Sequence, residues 1–115
     1  MNMIDSYSFG NIVIDGKEYT NDVIIYPDGR IKSSWWRKDG HKLCAEDISD
    51  LIDYAPELII AGTGAYGIMK PEAELVELLY DKGIEFRALP SRKAVDEYNR
   101  LCGGKKIGAC FHLTC

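Results

Sequence analysis

The sequence has no run of apolar residues approaching the roughly 20 that a membrane-crossing helix needs, so no membrane partner is expected. It also lacks a basic excess. Lys and Arg total 14 against 18 Asp and Glu, a formal net charge of −4. Nucleic-acid binders usually carry a basic face, so no nucleic-acid partner is expected either. Cysteines are few, and no two of Cys44, Cys102, Cys110 and Cys115 stand in a CxxC pair. That spacing excludes a thioredoxin-like motif and a ribbon-type zinc site, and no metal or cofactor is expected. The opening MNMIDSYSFG has neither basic residues nor an apolar stretch of signal length, and no mitochondrial presequence pattern. A cytoplasmic location with free thiols is the resulting expectation. Internal repeats, low-complexity tracts and linkers are missing too.

What is present describes one globular domain spanning residues 1–115. The chain is 46% hydrophobic and 28% charged, ordinary values for a packed domain. Charge is uneven: residues 1–82 hold 8 basic and 15 acidic groups (8 − 15 = −7), and residues 83–115 hold 6 and 3 (6 − 3 = +3). Solvated surface accounts for most of this.

Hydrophobic patterning predicts an antiparallel first third. Strands are expected at Phe9–Ile14, Asp22–Tyr26 and Arg30–Arg37, with turns at Asp15-Gly16-Lys17 and Pro27-Asp28-Gly29. The pattern then changes to alternating helix and strand. Ile48, Leu51, Ile52 and Ala55 have helical spacing, ended by Pro56. Leu58–Ala61 reads as a buried strand. A second helix opens at Pro71 with Leu75, Val76, Leu78 and Leu79 inward, and Gly83 ends it. Ile84–Leu89 is a strand, and Ser91 suits the N-cap of a third helix with Ala94, Val95, Tyr98, Leu101 and Cys102 inward. The run Ile107–Leu113 is apolar enough for the centre of a sheet. The fold class is α/β: a single compact domain, a mixed central sheet with an N-terminal antiparallel hairpin region, and helices packed on the sheet.

Gly62-Thr63-Gly64-Ala65-Tyr66-Gly67 matches GxGxxG between a strand and a helix. Two features oppose a nicotinamide site. Lys70-Pro71 delays the helix, and the next strand ends Leu89-Pro90-Ser91-Arg92 without the acid that would hold a ribose. Glycines are also needed wherever a strand and helix pack tightly. The remaining ligand reading is a small anion. Ser91-Arg92-Lys93 puts two cations at the positive end of a helix, where free amides, the hydroxyl and the cations can hold an anion. If the two strands are parallel neighbours, both loops leave the same sheet edge, and Lys70 adds a third positive group. The candidate ligand residues are therefore Gly62, Thr63, Gly64, Lys70, Ser91, Arg92 and Lys93.

Trp35, Trp36 and Arg37 form a second candidate, for interaction with a protein. Alternation sends one tryptophan inward and one outward, and exposed Trp and Arg often anchor interfaces. His41 reads as surface. Cys110 and His112 share one strand face, and Phe111, Leu113 and Cys115 share the other, so packing explains them better than metal binding. Asp96 and Glu97 read as a solvated helix face.

The segments PELIIAGTG, SRKAVDEYNRL and FHLTC together resemble a family of small Mth-domain α/β proteins, which includes mitochondrial complex I assembly factor 3 and the adipogenesis-associated Mth-domain protein. The resemblance covers nearly the whole chain. Its motif positions fall on Gly62, Thr63, Gly64, Tyr98, Asn99, His112 and Cys115. It implies one compact domain, no established enzyme activity, and an assembly or regulatory role exerted through other proteins. Without a presequence pattern, the complex I role is not carried over. Two functions follow as expectations. The first is a non-catalytic binding or assembly module with a protein partner. The second is an enzyme or sensor for a small anionic or phosphorylated ligand held between the Gly62–Gly67 loop and the Ser91 helix start.

Overall fold

The computed structural model describes residues 2–115. In chain order the elements are β1 (Ile4–Ser8), β2 (Asn11–Ile14), β3 (Lys17–Tyr19), β4 (Val23–Ile25), β5 (Ile31–Lys32), β6 (Lys42–Leu43), a 3-10 turn (Ala45–Ile48), α1 (Ser49–Asp53), β7 (Leu58–Thr63), β8 (Lys70–Pro71), α2 (Ala73–Asp81), β9 (Glu85–Leu89), α3 (Ser91–Leu101) and β10 (Ile107–His112). The main sheet has five strands in the order β5-β4-β10-β7-β9. β10, β7 and β9 run parallel, and β4 and β5 are antiparallel additions. All six residues of β10 and of β7 are buried, as their continuous apolar sequence requires.

Each face of this sheet has its own cover. On one face, Val23, Ile25, Leu58, Ile60, Ala109 and Phe111 pack against α3 and against Ile4, Tyr7, Ile12 and Ile14 of a separate antiparallel sheet, β1-β2-β3. On the other, Ile24, Ile59, Ala61 and Cys110 meet Trp35, Leu51, Met69, Leu75 and Leu79 from the α1 and α2 side. The β2–β3 hairpin turns on Asp15 (φ 51°) and Gly16 (φ 81°), two left-handed residues that match the twist of the flanking strands.

Several elements differ from the sequence expectation. β1 pairs with β2 in front of the expected first strand, because Ser6, Tyr7 and Ser8 find register partners there despite weak patterning. The expected strand Arg30–Arg37 shrinks to Ile31–Lys32, since Ser34 takes a left-handed φ of 56° and breaks the ladder. Pro71 does not open a helix. Lys70-Pro71 pairs in parallel with Lys42-Leu43, and α2 begins at Ala73 after an extended Glu72. Val76 is exposed while Leu75 and Leu79 are buried. Ser91 is the first residue of α3 and not its cap; its hydroxyl is used across the fold.

Gly62 sits where α3 crosses the sheet. A Cβ there would lie 2.7 Å from Phe111 Cδ1, 2.8 Å from Ser91 Oγ and 3.3 Å from Ser91 Cα. Because the last of these is backbone, relief requires α3 to move. Gly62→Ala is expected to lower stability by about 1–3 kcal/mol, read as a lower urea midpoint. Gly104→Ala, at a site with nothing within 4 Å, serves as the control. Equal midpoints for the two variants would contradict this packing account.

Candidate functional site

Parallel strands bring their carboxyl ends to one edge of the sheet, the usual location of a ligand in an open α/β fold. Here the edge collects Thr63 at the end of β7, Leu89 at the end of β9 and His112 at the end of β10. β4 runs the other way and pairs Val23 with Phe111, so Asp22, just before β4, comes alongside His112. The segment after β5 returns to the same edge, where the Trp35 amide donates to the Asp22 carbonyl at 2.9 Å.

One carboxylate organises this edge. Asp22 Oδ2 lies 2.8 Å from His112 Nδ1 and accepts from Arg37 Nη1 at 2.7 Å. Asp22 Oδ1 accepts from the Leu113 amide at 2.8 Å. Arg37 Nη2 is 3.0 Å from His112 Nδ1 and donates to the Gly40 carbonyl at 3.3 Å. The guanidinium stacks 4.8 Å above the Trp35 ring. Two contacts compete for His112 Nδ1: the Asp22 carboxylate, which only accepts, calls for a proton there, and the Arg37 guanidinium, which only donates, calls for a lone pair; the shorter contact, to Asp22, favours the proton. Nε2 then carries the lone pair. It has no hydrogen-bond partner among the described residues, and the ring lines a cavity of about 380 Å³ together with Thr20, Asn21, Ser34, Trp36, Gly40 and Thr114.

The cluster is well shielded. The Arg37 and His112 side chains are only 6% and 9% exposed. Burial pushes the Asp22 carboxyl pKa up, but hydrogen bonds from His112, the Leu113 amide and Arg37 outweigh it and hold the group below its ordinary value. Arg37 Nε is buried with no acceptor among the described residues, a cost of about 1–3 kcal/mol. Apolar groups in place of a buried ion pair often stabilise a fold as well or better, so stability alone does not account for this arrangement. Chemically, the site offers one orientable imidazole nitrogen at the base of a cavity.

The two tryptophans divide as alternation predicts. Trp35 is 4% exposed and donates from Nε1 to the Asp47 carbonyl at 2.8 Å. Trp36 is 85% exposed at the cavity rim. The Arg37 side chain is nearly buried, and its charge is answered by Asp22.

The glycine loop lies on the same edge, and β7 and β9 are indeed parallel neighbours. Its amides are engaged within the chain. Gly64 N–H donates to Ser91 Oγ at 2.9 Å, Ala65 N–H to the Thr114 carbonyl at 2.6 Å, and Ile68 N–H to the Cys115 carbonyl at 3.2 Å. Gly67 and Met69 amides bond to Gly64 and Thr63 carbonyls. Gly64 has φ 103°, and a Cβ there would collide with the Thr114 and Cys115 backbone. Ser91 is fully buried, its hydroxyl donating to the His112 carbonyl at 2.6 Å. Arg92 turns away to the Tyr7 carbonyl and ring. Lys93 lines a groove beside β9 with Phe86, Leu89 and Glu97. Of the expected anion-binding residues, Thr63 and Lys70 share a cavity of about 290 Å³ with Tyr66, Gly67 and Pro90, and Lys70 Nζ bonds to the Gly67 carbonyl at 3.0 Å. Among the described residues, no group of three or more His, Cys, Asp or Glu side chains is arranged to hold a metal ion. Cys110 is fully buried, and burial pushes its thiol up to about 12.

Residues 4–112 match the family model described as a protein of unknown function, DUF498/DUF598. The chain belongs to this family. Solved structures carry the same fold. A conserved hypothetical protein of Pyrococcus horikoshii OT3 is 32% identical, with 97% of this chain and 98% of that one covered at a TM-score of 0.84. An outer membrane protein of Bartonella henselae is 24% identical over 97% and 94%, at a TM-score of 0.82. A Mth938-like domain of Bordetella pertussis is 18% identical over 97% and 85%, at a TM-score of 0.75. In this chain no helix among the described residues is long and apolar enough to cross a membrane.

Sequence reasoning missed Asp22, and it read His112 as packing. The only local signal is an acid immediately before an apolar strand. Its partner lies 90 positions away, so the pairing of β4 with β10 is needed to see the site.

The sign of the Asp22 contribution is fixed by its depressed pKa. The contribution is complete above the unfolded value of about 3.9 and is lost as pH falls through the lower folded value. The stability difference between wild type and Asp22→Asn is therefore expected to shrink below about pH 4. Urea titrations on both sides of that pH measure it; a difference unchanged down to pH 2.5 would contradict the charge-pair account.

Proposed function

We propose that this chain is a non-catalytic binding module that docks a protein partner on the carboxyl edge of its main sheet. The observation that carries this reading is a rim of exposed apolar side chains around that edge. Trp36 lines the His112 cavity. Across Leu113 and Thr114, Phe9 (59% exposed) and Tyr66 (75% exposed) face each other with ring centroids 6.2 Å apart. The turn after Phe9 is tied to this edge by Gly10 N–H donating to the Leu113 carbonyl at 2.9 Å. Ile68, also exposed, bonds to Cys115. Contiguous exposed apolar side chains rimmed by polar groups are a common mark of a protein contact, and aromatic anchors commonly dominate such contacts.

A photo-reactive phenylalanine analogue at position 36 or 66 is expected to capture a discrete partner in lysate of the host. The same analogue at Tyr80, exposed near the far end of α2, is expected to capture none. Identical adducts at all three positions, or none at 36 and 66, would count against the docking edge.

A second reading, a small anion beside the glycine loop, is supported by the cavity that Thr63 and Lys70 share. The Gly64, Ala65 and Gly67 amides of the loop already have acceptors in the chain. Binding of an anion raises the melting temperature. Millimolar phosphate or nucleotide is expected to leave it unchanged; a concentration-dependent rise abolished by Lys70→Ala would favour the anion.

A further inference from the structure

Resting on the docking edge proposed above, the chemistry of the His112 cavity narrows what the partner inserts there. The charges at its base cancel. Arg37 answers Asp22 at 2.7 Å, and the remaining cavity-lining residues apart from His112 are uncharged. A charged occupant would therefore be desolvated without a counter-charge, which is costly. The imidazole Nδ1 is held between Asp22 and Arg37, and with its proton turned to the carboxylate the lone pair falls on Nε2, which has no hydrogen-bond partner among the described residues although the side chain is nine-tenths buried. An occupant that fills the base of the cavity without offering a donor leaves that acceptor dry and unsatisfied. Trp36, 85% exposed, lines the same cavity and offers an aromatic ring for stacked or tilted contact. The volume of about 380 Å³ is within the usual range for a small-molecule pocket and admits a single ring.

We infer that this cavity is the socket for a tyrosine side chain of the partner, its ring against Trp36 and its phenol O–H donated to His112 Nε2. A phenol satisfies all three conditions at once: it is uncharged at neutral pH, planar, and carries a donor at its far end. Phenylalanine lacks the donor, and an ionised acidic side chain is charged and lacks the donor as well.

The test titrates the intact protein with N-acetyl-L-tyrosinamide and, separately, N-acetyl-L-phenylalaninamide, following the His112 ring and Trp36 indole resonances by NMR. The tyrosine amide is expected to shift both resonances, and the phenylalanine amide to bind about fivefold more weakly, the loss of one buried hydrogen bond. Trp36→Ala changes an exposed residue, so the fold is retained, and it is expected to weaken both amides. Equal affinity for the two amides, or no movement of the His112 resonance at tens of millimolar, overturns the tyrosine socket. If cross-linking at position 36 still captures a partner while the tyrosine preference is missing, the docking edge stands and the socket falls. If neither is found, both fall.

Discussion

Strand β10 is buried along its whole length and hydrogen-bonded on both sides, to β4 in one direction and to β7 in the other. Six consecutive side chains with no solvent face require cover above and below, and the remaining elements supply it. Alternate residues feed two separate cores: Ala109 and Phe111 on the α3 side, Cys110 on the side of α1 and α2. The same constraint explains Gly108 within the strand. A Cβ there would run into the Leu51 side chain, so α1 approaches the sheet as closely as it does only over a glycine.

The site follows from how this strand ends. Where β10 reaches the sheet edge, His112 and Leu113 meet Asp22, which β4 delivers from the opposite direction. A single carboxylate then binds an imidazole and the next backbone amide from the end of β10, and a guanidinium from the segment after β5. Beyond it, Thr114 and Cys115 lie over the glycine loop and accept from its amides. The edge is thus divided in two. Around the glycines the Gly64, Ala65, Gly67 and Ile68 amides have acceptors within the chain. Around His112 an imidazole held by Asp22 lines a cavity together with the exposed Trp36. The proposed binding reading takes the His112 side because of this contrast.

Much of the layout was legible because it rests on local rules. Continuous apolar sequence marked β7 and β10 as internal, the Pro27-Asp28-Gly29 turn carries φ 95° at Gly29, and helical spacing marked Ala94, Val95 and Tyr98 as inward. Misreadings arose where distant partners override local preference. Ser91 has the sequence signature of a cap, but its hydroxyl bonds to Gly64 and to the His112 carbonyl. Pro71 suits a helix start, but the amides on either side of it bond to carbonyls of residues 41 and 43. Arg37 reads as a surface anchor beside two tryptophans, yet it is drawn inward by an acid 15 positions earlier. The split of Trp35 and Trp36 came out as alternation predicts although the segment is not a strand, because the Trp35 indole is tied to Asp47. The Asp22–His112 pairing is out of reach of sequence alone, since it depends on register between β4 and β10.

The central claim is that Asp22 fixes the His112 tautomer and leaves Nε2 bare toward the cavity. Long-range proton–nitrogen correlation of the His112 ring in the unliganded protein at neutral pH tests it most directly. The account predicts a protonated, pyrrole-like Nδ1 and an unprotonated, pyridine-like Nε2, with the pattern lost in Asp22→Asn. A proton found on Nε2 with a bare Nδ1 would contradict it, because the cavity would then face a donor and Asp22 would not be orienting the ring.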